Sequence, residues 1–476
     1  MRQPAVVTVL FCAALASTAL AQPLISANPQ AGPPTDKVAV RGTGFSADEA
    51  VDIYFDTTDL ALAATSPAGA FSSVSISVPA SAAPGTHWIT GVGRMSGLAA
   101  QRAFLVRTDW AQFLRDPEHR GYNPTENLLS VSDVKGLQLL WRASTKGNNS
   151  SPVLAKGVIY VESQSRYLYA FDALTGRRLW VAPTGDKTYH IQPTPAVAND
   201  VVYAGSYDGL YAFDAATGKL RWTALPDGSI ESLTVANGVV YEAGDGLEAF
   251  HALTGQPIWT ASNISAIFSA PAVQNGVAYV GSDDGSVYAL NAATGQQIWQ
   301  SANTLGSIFG SVTVENGIVY TQSYDGFFAY NAANGQSLWN AYVGSTVSSS
   351  PAVANGVVYE GPDAFNAVSG VPRWDLSSSL GGVYSTAAVA NGVVYLGTNS
   401  STVVGIDASN GTVLWTAVTD GPVATALVVA NGVLYATSPG SVYAFHLPRA
   451  NVAASQADPT ALEPDLSLSL QNASAL

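Results

Sequence analysis

Three acidic loops come first among residues able to do chemistry: Ser206-Tyr207-Asp208-Gly209, Ser282-Asp283-Asp284-Gly285 and Ser323-Tyr324-Asp325-Gly326. Calcium takes carboxylate and carbonyl oxygens, so the residue types suit a hard cation. The spacing favours another role. Each Asp-Gly pair stands at the same point of a repeating unit, and Asp-Gly is a favoured two-residue hairpin turn. These loops are therefore expected to be turns, and no metal ligands are assigned. His119 and His190 are isolated, and Cys12 is the one cysteine. No H-E-x-x-H, G-x-S-x-G or P-loop pattern occurs, so no catalytic residue is assigned either.

A second set of residues points to recognition instead of catalysis. Asn149, Gln192, Ile230, Phe268, Phe309, Ser348, Tyr384 and Ala424 recur five positions before an inner-strand aliphatic residue. Two residues further on stand Ser151, Thr194, Ser232, Ala270, Ser311, Ser350, Thr386 and Ala426. The second set is small throughout, as crowding near an axis demands, whereas the first is mixed. Its aromatic members, with His190, Gln192 and Glu231 nearby, make His190, Gln192, Glu231, Phe268, Phe309 and Tyr384 the candidate rim for binding a partner.

The elements that must carry these residues are short strands. Charged residues are 11% of the chain, and Gly, Ser, Thr, Ala, Val and Tyr are abundant. With 34 acidic against 20 basic residues, a net charge of −14 repels a phosphate backbone, so nucleic acid is not an expected partner. Arg2, the apolar run from Val6 to Ala16 and Ala19-Leu20-Ala21 read as a secretory leader over residues 1–21. Export to the periplasm or the outside follows, with no thiol chemistry in the mature chain because Cys12 falls in the leader. No other stretch is long and apolar enough for a transmembrane segment.

Residues 22–107 alternate with period two, as in Lys37-Val38-Ala39-Val40-Arg41 and Val74-Ser75-Ile76-Ser77-Val78. About six strands in a small immunoglobulin-like β-sandwich are expected. The stretch Gly42-Thr43-Gly44-Phe45, with Pro79 and Pro84-Gly85-Thr86, resembles IPT/TIG modules, which act as spacers or adhesion units. A lead segment over 108–136 follows.

From residue 137 to 448 a repeat takes over. Trp141, Trp180, Trp222, Trp259, Trp299, Trp339, Trp374 and Trp415 recur at steps of 35 to 42 residues. Tyr160, Tyr203, Tyr241, Tyr279, Tyr320, Tyr359, Tyr395 and Tyr435 keep the same beat. Each unit reads as four strands, and the fold class is all-β: an eight-bladed β-propeller of four-stranded blades. Trp141 precedes the first inner strand, while the last unit stops at Tyr443-Ala444-Phe445-His446 without a tryptophan. The spare strand at one end fits the gap at the other and would remove the open sheet edge. Residues 449–476 lack a period and read as a disordered tail.

Between the third and fourth strands lies A-x-D-x-x-T-G-x-x-x-W, complete at Ala170, Asp172, Thr175, Gly176 and Trp180 and again at Ala212, Asp214, Thr217, Gly218 and Trp222. Asp bonds amides across the turn, Gly takes a positive φ, and Trp spreads over a neighbouring blade. This resembles the tryptophan-docking motif of pyrroloquinoline quinone (PQQ) type propellers, which include quinoprotein alcohol dehydrogenases and the propeller of the outer-membrane barrel assembly machinery. The lead segment, with Trp110-Ala111-Gln112-Phe113, Asp116, Gly121 and Asn123-Pro124, resembles the approach to the first blade of secreted members. For the enzymes the resemblance implies a vicinal cysteine pair over the quinone, a calcium site with a carboxylate, an Asp base and long insertions. This chain has neither the cysteines nor the insertions. The expectation is a non-enzymatic, monomeric scaffold without a cofactor that binds a protein or peptide. PQQ with calcium in a central funnel is the alternative.

Overall fold

The computed structural model describes residues 22–448 except 186–192, 227, 266, 305, 344–348, 381 and 383–384. The leader and the tail read from the sequence therefore lie outside the described residues.

The N-terminal part packs two sheets on one core. Leu24–Asn28, Lys37–Thr43 and Phe71–Ser77 form the first, and Ala31–Gly32, Ala99–Val106, Gly85–Gly93, Ala50–Phe55 and Thr58–Ala64 the second. Alternation works as expected: Val38, Val40, Val51, Ile53, Ile89 and Phe104 are fully buried between the sheets. The strand count is eight where about six were expected. A strand as short as Ala31–Gly32, joined by two parallel pairs to Ala99–Val106, carries no readable period.

Beyond it, eight sheets of at least four strands follow one another among the described residues. The second unit is representative, with Ala196–Ala198, Val201–Ser206, Gly209–Asp214 and Leu220–Ala224 as an antiparallel meander. The last sheet is completed from far upstream: Gln138–Ser144 lies antiparallel to Ser441–His446, with Trp141 opposite Ala444 and Arg142 opposite Tyr443.

Neighbouring sheets are held by a repeated clamp. The Trp180 indole N–H and the Tyr160 hydroxyl both donate to the Ala215 carbonyl of the next unit, each at 3.0 Å. The same pair of donors meets Ala252, Ala292, Ala332 and Ala367 in turn. Trp141 and Tyr435 meet Ala173, so the series returns from the last unit to the first. The motif glycine makes room: a Cβ on Gly218, whose φ is +68°, would lie 2.6 Å from the Trp180 ring. Aspartate closes the same turn, since Asp214 accepts the Thr217 N–H at 3.0 Å and the Thr217 hydroxyl at 2.8 Å. Trp141 and Trp299 are buried, whereas the other six docking tryptophans keep one edge partly open.

The lead segment has a role that no period announces. It winds past every inner strand in order and bonds to each. Trp110 exchanges backbone bonds with Leu154, and Ala111, Pro117, Glu118, Arg120 and Gly121 offer carbonyls to Val197, Val273, Val314, Val353 and Val389. The Gln112 side chain accepts from Val235, and the Asn123 side chain donates to Val429. All eight inner strands are thereby tied to one short stretch of chain. These partners are the aliphatic positions from which the two residue sets were counted.

Candidate recognition face and funnel

The lead segment fills the axis from one side. His119 is wholly buried there, with Nδ1 3.1 Å from the Val312 carbonyl and Nε2 2.9 Å from the Thr234 hydroxyl. Burial pushes its pKa down to about 4, so the ring is neutral and serves packing, with Phe113 edge-on at 5.5 Å. Asp116 bridges Arg115 and Arg120 on the same stretch.

Above this hub lies a funnel of about 450 Å³ with Phe113 in its floor. Around it runs the set of small residues, several of which bond from unit to unit. Ala270 N–H donates to Ser311 Oγ at 2.8 Å, Ser311 N–H to Ser350 Oγ at 2.9 Å, and Ser350 N–H to Thr386 Oγ1 at 3.1 Å. Ala426 N–H donates to Ser151 Oγ at 3.0 Å, across the junction of last and first units. The lining is hydroxyls, amides, prolines and alanines, including Asn149, Ser151, Thr194, Thr425 and Ser438, and none of the lining residues carries a charge. PQQ is a tricarboxylate accompanied by a cation, and among the described residues these walls offer neither Arg or Lys for the one nor Asp or Glu for the other. The described residues of the lining do not fit that group.

Of the candidate rim, Phe268, Phe309 and Glu231 lie among the described residues. Phe268 and Phe309 stand with ring centroids 5.6 Å apart, tilted by 39°, and remain 39% and 44% exposed. The Ser232 hydroxyl donates to the Ser269 carbonyl at 3.0 Å, which sets Glu231 and Phe268 on adjoining units. Burial raises the Glu231 carboxyl above its ordinary range, opposed by a bond from Ser229 and assisted by Asp245. His190, Gln192 and Tyr384 lie outside the described residues.

Sequence reasoning missed the recess beside Phe309. It measures about 320 Å³ and is lined by Asp283, Asp284, Asn303, Gly306, Ser307, Phe309 and Tyr324. Two of the three acidic loops meet here. Both are turns, as expected: Ser286 N–H donates to Asp284 at 2.8 Å and Asp325 N–H to the Ser323 hydroxyl at 3.2 Å. Linker residues join them, since Ser307 Oγ donates to the Asp283 carbonyl and Tyr324 N–H to the Ser307 carbonyl. The available signal was Tyr324 itself, an aromatic at the tip of a turn and 70% exposed.

Buried carboxyls were missed as well. Glu162, Glu242, Glu360 and Asp363 are all buried. Glu360 and Asp363 face each other across a hairpin, and Glu242 pairs with Glu248 in the same way. Burial pushes Glu360 up to about 8 and Asp363 up to about 7, while Glu162 and Glu242 also rise well above the carboxylate range.

Comparison with known proteins follows the fold. A family model described as outer membrane protein assembly factor BamB matches residues 123–224, 183–362 and 363–452. Tetrathionate hydrolase of Acidithiobacillus ferrooxidans is 26% identical over 278 residues, 55% of this chain and 52% of that protein. Quinohemoprotein alcohol dehydrogenase of Comamonas testosteroni is 30% identical over 120 residues, 23% of this chain and 17% of that protein. The chain thus spans about half the length of the first relative and under a fifth of the second. Among solved structures, BamB from Moraxella catarrhalis superposes with a TM-score of 0.55 at 19% identity, over 65% of this chain and 99% of that one.

Proposed function

The chain belongs to the PQQ-like β-propeller family whose model is described as outer membrane protein assembly factor BamB, and from that premise we propose that it is an exported, non-enzymatic scaffold that binds a protein of the cell envelope. The observation that carries this reading is the exposed Phe268–Phe309 pair, one ring from each of two adjoining units. A half-exposed tilted pair gains contact area when a partner covers it, at ~25 cal/mol per Å². The funnel, with its neutral walls, is a passage or void in this reading, and the N-terminal sandwich is a spacer.

The test is recovery of the outer-membrane barrel assembly components from native envelope by the purified chain. A Phe268→Ala, Phe309→Ala double variant should recover roughly tenfold less. Equal recovery by the two removes the rim from consideration. The competing reading, an oxidoreductase using PQQ and calcium, is checked on the same protein. Dye-linked alcohol oxidation that appears on adding PQQ and Ca²⁺, and disappears in Glu231→Gln, would overturn the proposal.

A further inference from the structure

Between Arg221 and Arg373 the chain has no lysine or arginine, and the same stretch carries eleven acidic residues. Units three to five therefore contain no lysine or arginine, and the sixth carries only Arg373 in its last strand. On the lead segment Arg120 reaches Glu315 at 3.7 Å. No such cation stands in the lining of the recess beside Phe309.

That recess combines three features. Its acids are Asp283 and Asp284, with Asp325 close by, since a Cβ on Gly306 would lie 3.3 Å from the Asp325 carboxyl carbon. Its aromatic surfaces are Tyr324 and Phe309, and Phe309 continues onto Phe268. Its loops are joined through the Ser307 bonds already described, and Ile267 N–H donates to the Gly244 carbonyl next to Asp245. An aromatic strip flanked by unneutralised carboxylates attracts a cation that also has an apolar stem. The negative formal charge of three successive units, three to five, adds long-range steering of a cation.

We propose that this recess takes a cationic, apolar segment of a partner polypeptide. A lysine or arginine sits beside Asp283 and Asp325 and over Tyr324, and an adjacent aliphatic or aromatic side chain covers the Phe268–Phe309 pair. The inference rests on the protein-binding reading above and names the chemistry of the partner.

The probe is a short labelled peptide alternating lysine and leucine, compared with one alternating glutamate and leucine, followed by fluorescence anisotropy. The lysine peptide should saturate the wild-type chain, weaken steeply as salt is raised, and bind roughly tenfold more weakly to Asp283→Asn, Asp284→Asn, Asp325→Asn. A second triple variant, Asp48→Asn, Asp59→Asn, Asp200→Asn, makes the same charge change on exposed residues elsewhere and should stay within about twofold. Phe309→Ala should weaken the lysine peptide too, and thermal melts verify that every variant is folded. No binding of the lysine peptide at low salt, equal binding of the glutamate peptide, or equal loss in both triple variants overturns the inference. Envelope recovery separates the two levels. If Phe268→Ala, Phe309→Ala abolishes recovery while the recess triple variant does not, this inference alone falls; if the wild type recovers nothing, the reading beneath it falls.

Discussion

Glu360 accepts from the Ser349 hydroxyl through Oε1, while its Oε2 and the Oδ1 of Asp363 have no hydrogen-bond partner among the described residues. A buried carboxyl in that position is kept protonated, because ionising it would leave an unpaired charge in an apolar interior. The sign of the consequence follows. Unfolded, Glu360 loses its proton near 4.5; folded, it keeps it to about 8. Its contribution is therefore intact below pH 4.5 and is lost as pH climbs through 8, with Asp363 adding the same trend up to about 7. Thermal denaturation should show stability declining from about pH 5 to 8, by an amount on the order of a few kcal/mol, and Glu360→Gln should flatten the decline. A profile of unchanged slope in the variant would refute the assignment. A second contrast isolates single hydroxyls. Tyr241 donates to Ala292, whereas the Tyr395 hydroxyl is buried without a partner among the described residues. Tyr241→Phe should cost about 1 kcal/mol and Tyr395→Phe should be neutral or stabilising in chemical denaturation. None of these acids was legible in the sequence. Glu242 and Glu360 each follow a repeat tyrosine by one place, and Glu162 follows Tyr160 by two, so nothing in a strand pattern separates them from solvent-facing residues.

The strand units were the most legible level. Asp, Thr, Gly and Trp at fixed offsets encode one physical device, a tight turn whose glycine lets the preceding unit's indole lie flat. The orphaned Tyr395 marks where that device is missing. Trp415 donates to Leu137 there instead of to a motif alanine, because the fourth strand of the last sheet enters from upstream with the short turn Val134–Gly136 before it. Gly295, with φ +72°, has the Trp259 ring 2.6 Å from the place a Cβ would occupy. Gly295→Ala should lower stability by roughly 1–3 kcal/mol through both strain and displacement of the indole. Trp259→Ala should cost about 3 kcal/mol, since its ring is half-buried. Denaturant midpoints check both, and a glycine variant as stable as wild type would show that the ring docks without needing the gap. What the sequence did not reveal at this level was the recess at Phe309. Its walls come from a linker and two hairpin tips that share no period, and only folding brings them together.

For the whole molecule, the hub formed by residues 110–123 has the widest reach. Its contacts are a few bonds to each of eight different units, so no sequence pattern within it could have disclosed them; the segment was readable only through resemblance. Gly121 shows how closely it fits, with φ +63° and a Cβ position 2.8 Å from that of Ala352. Hydrogen exchange gives the test. The amides of Val197, Val273, Val314, Val353 and Val389 should be strongly protected in the full chain and exchange faster when residues 108–123 are replaced by a flexible linker, while the Trp141 strand stays in place. Unchanged protection would mean the inner strands need no central tie.

The strand bearing Trp141 also fixes an order of events. It emerges from the ribosome some three hundred residues ahead of Tyr443, its partner in the final sheet. Until then the Trp141 strand must wait without that partner, and loop closure over the separation makes the last step slow. A chain stalled or clipped before Ser441 would leave two raw edges at once, which makes such fragments the natural prey of proteases and chaperones.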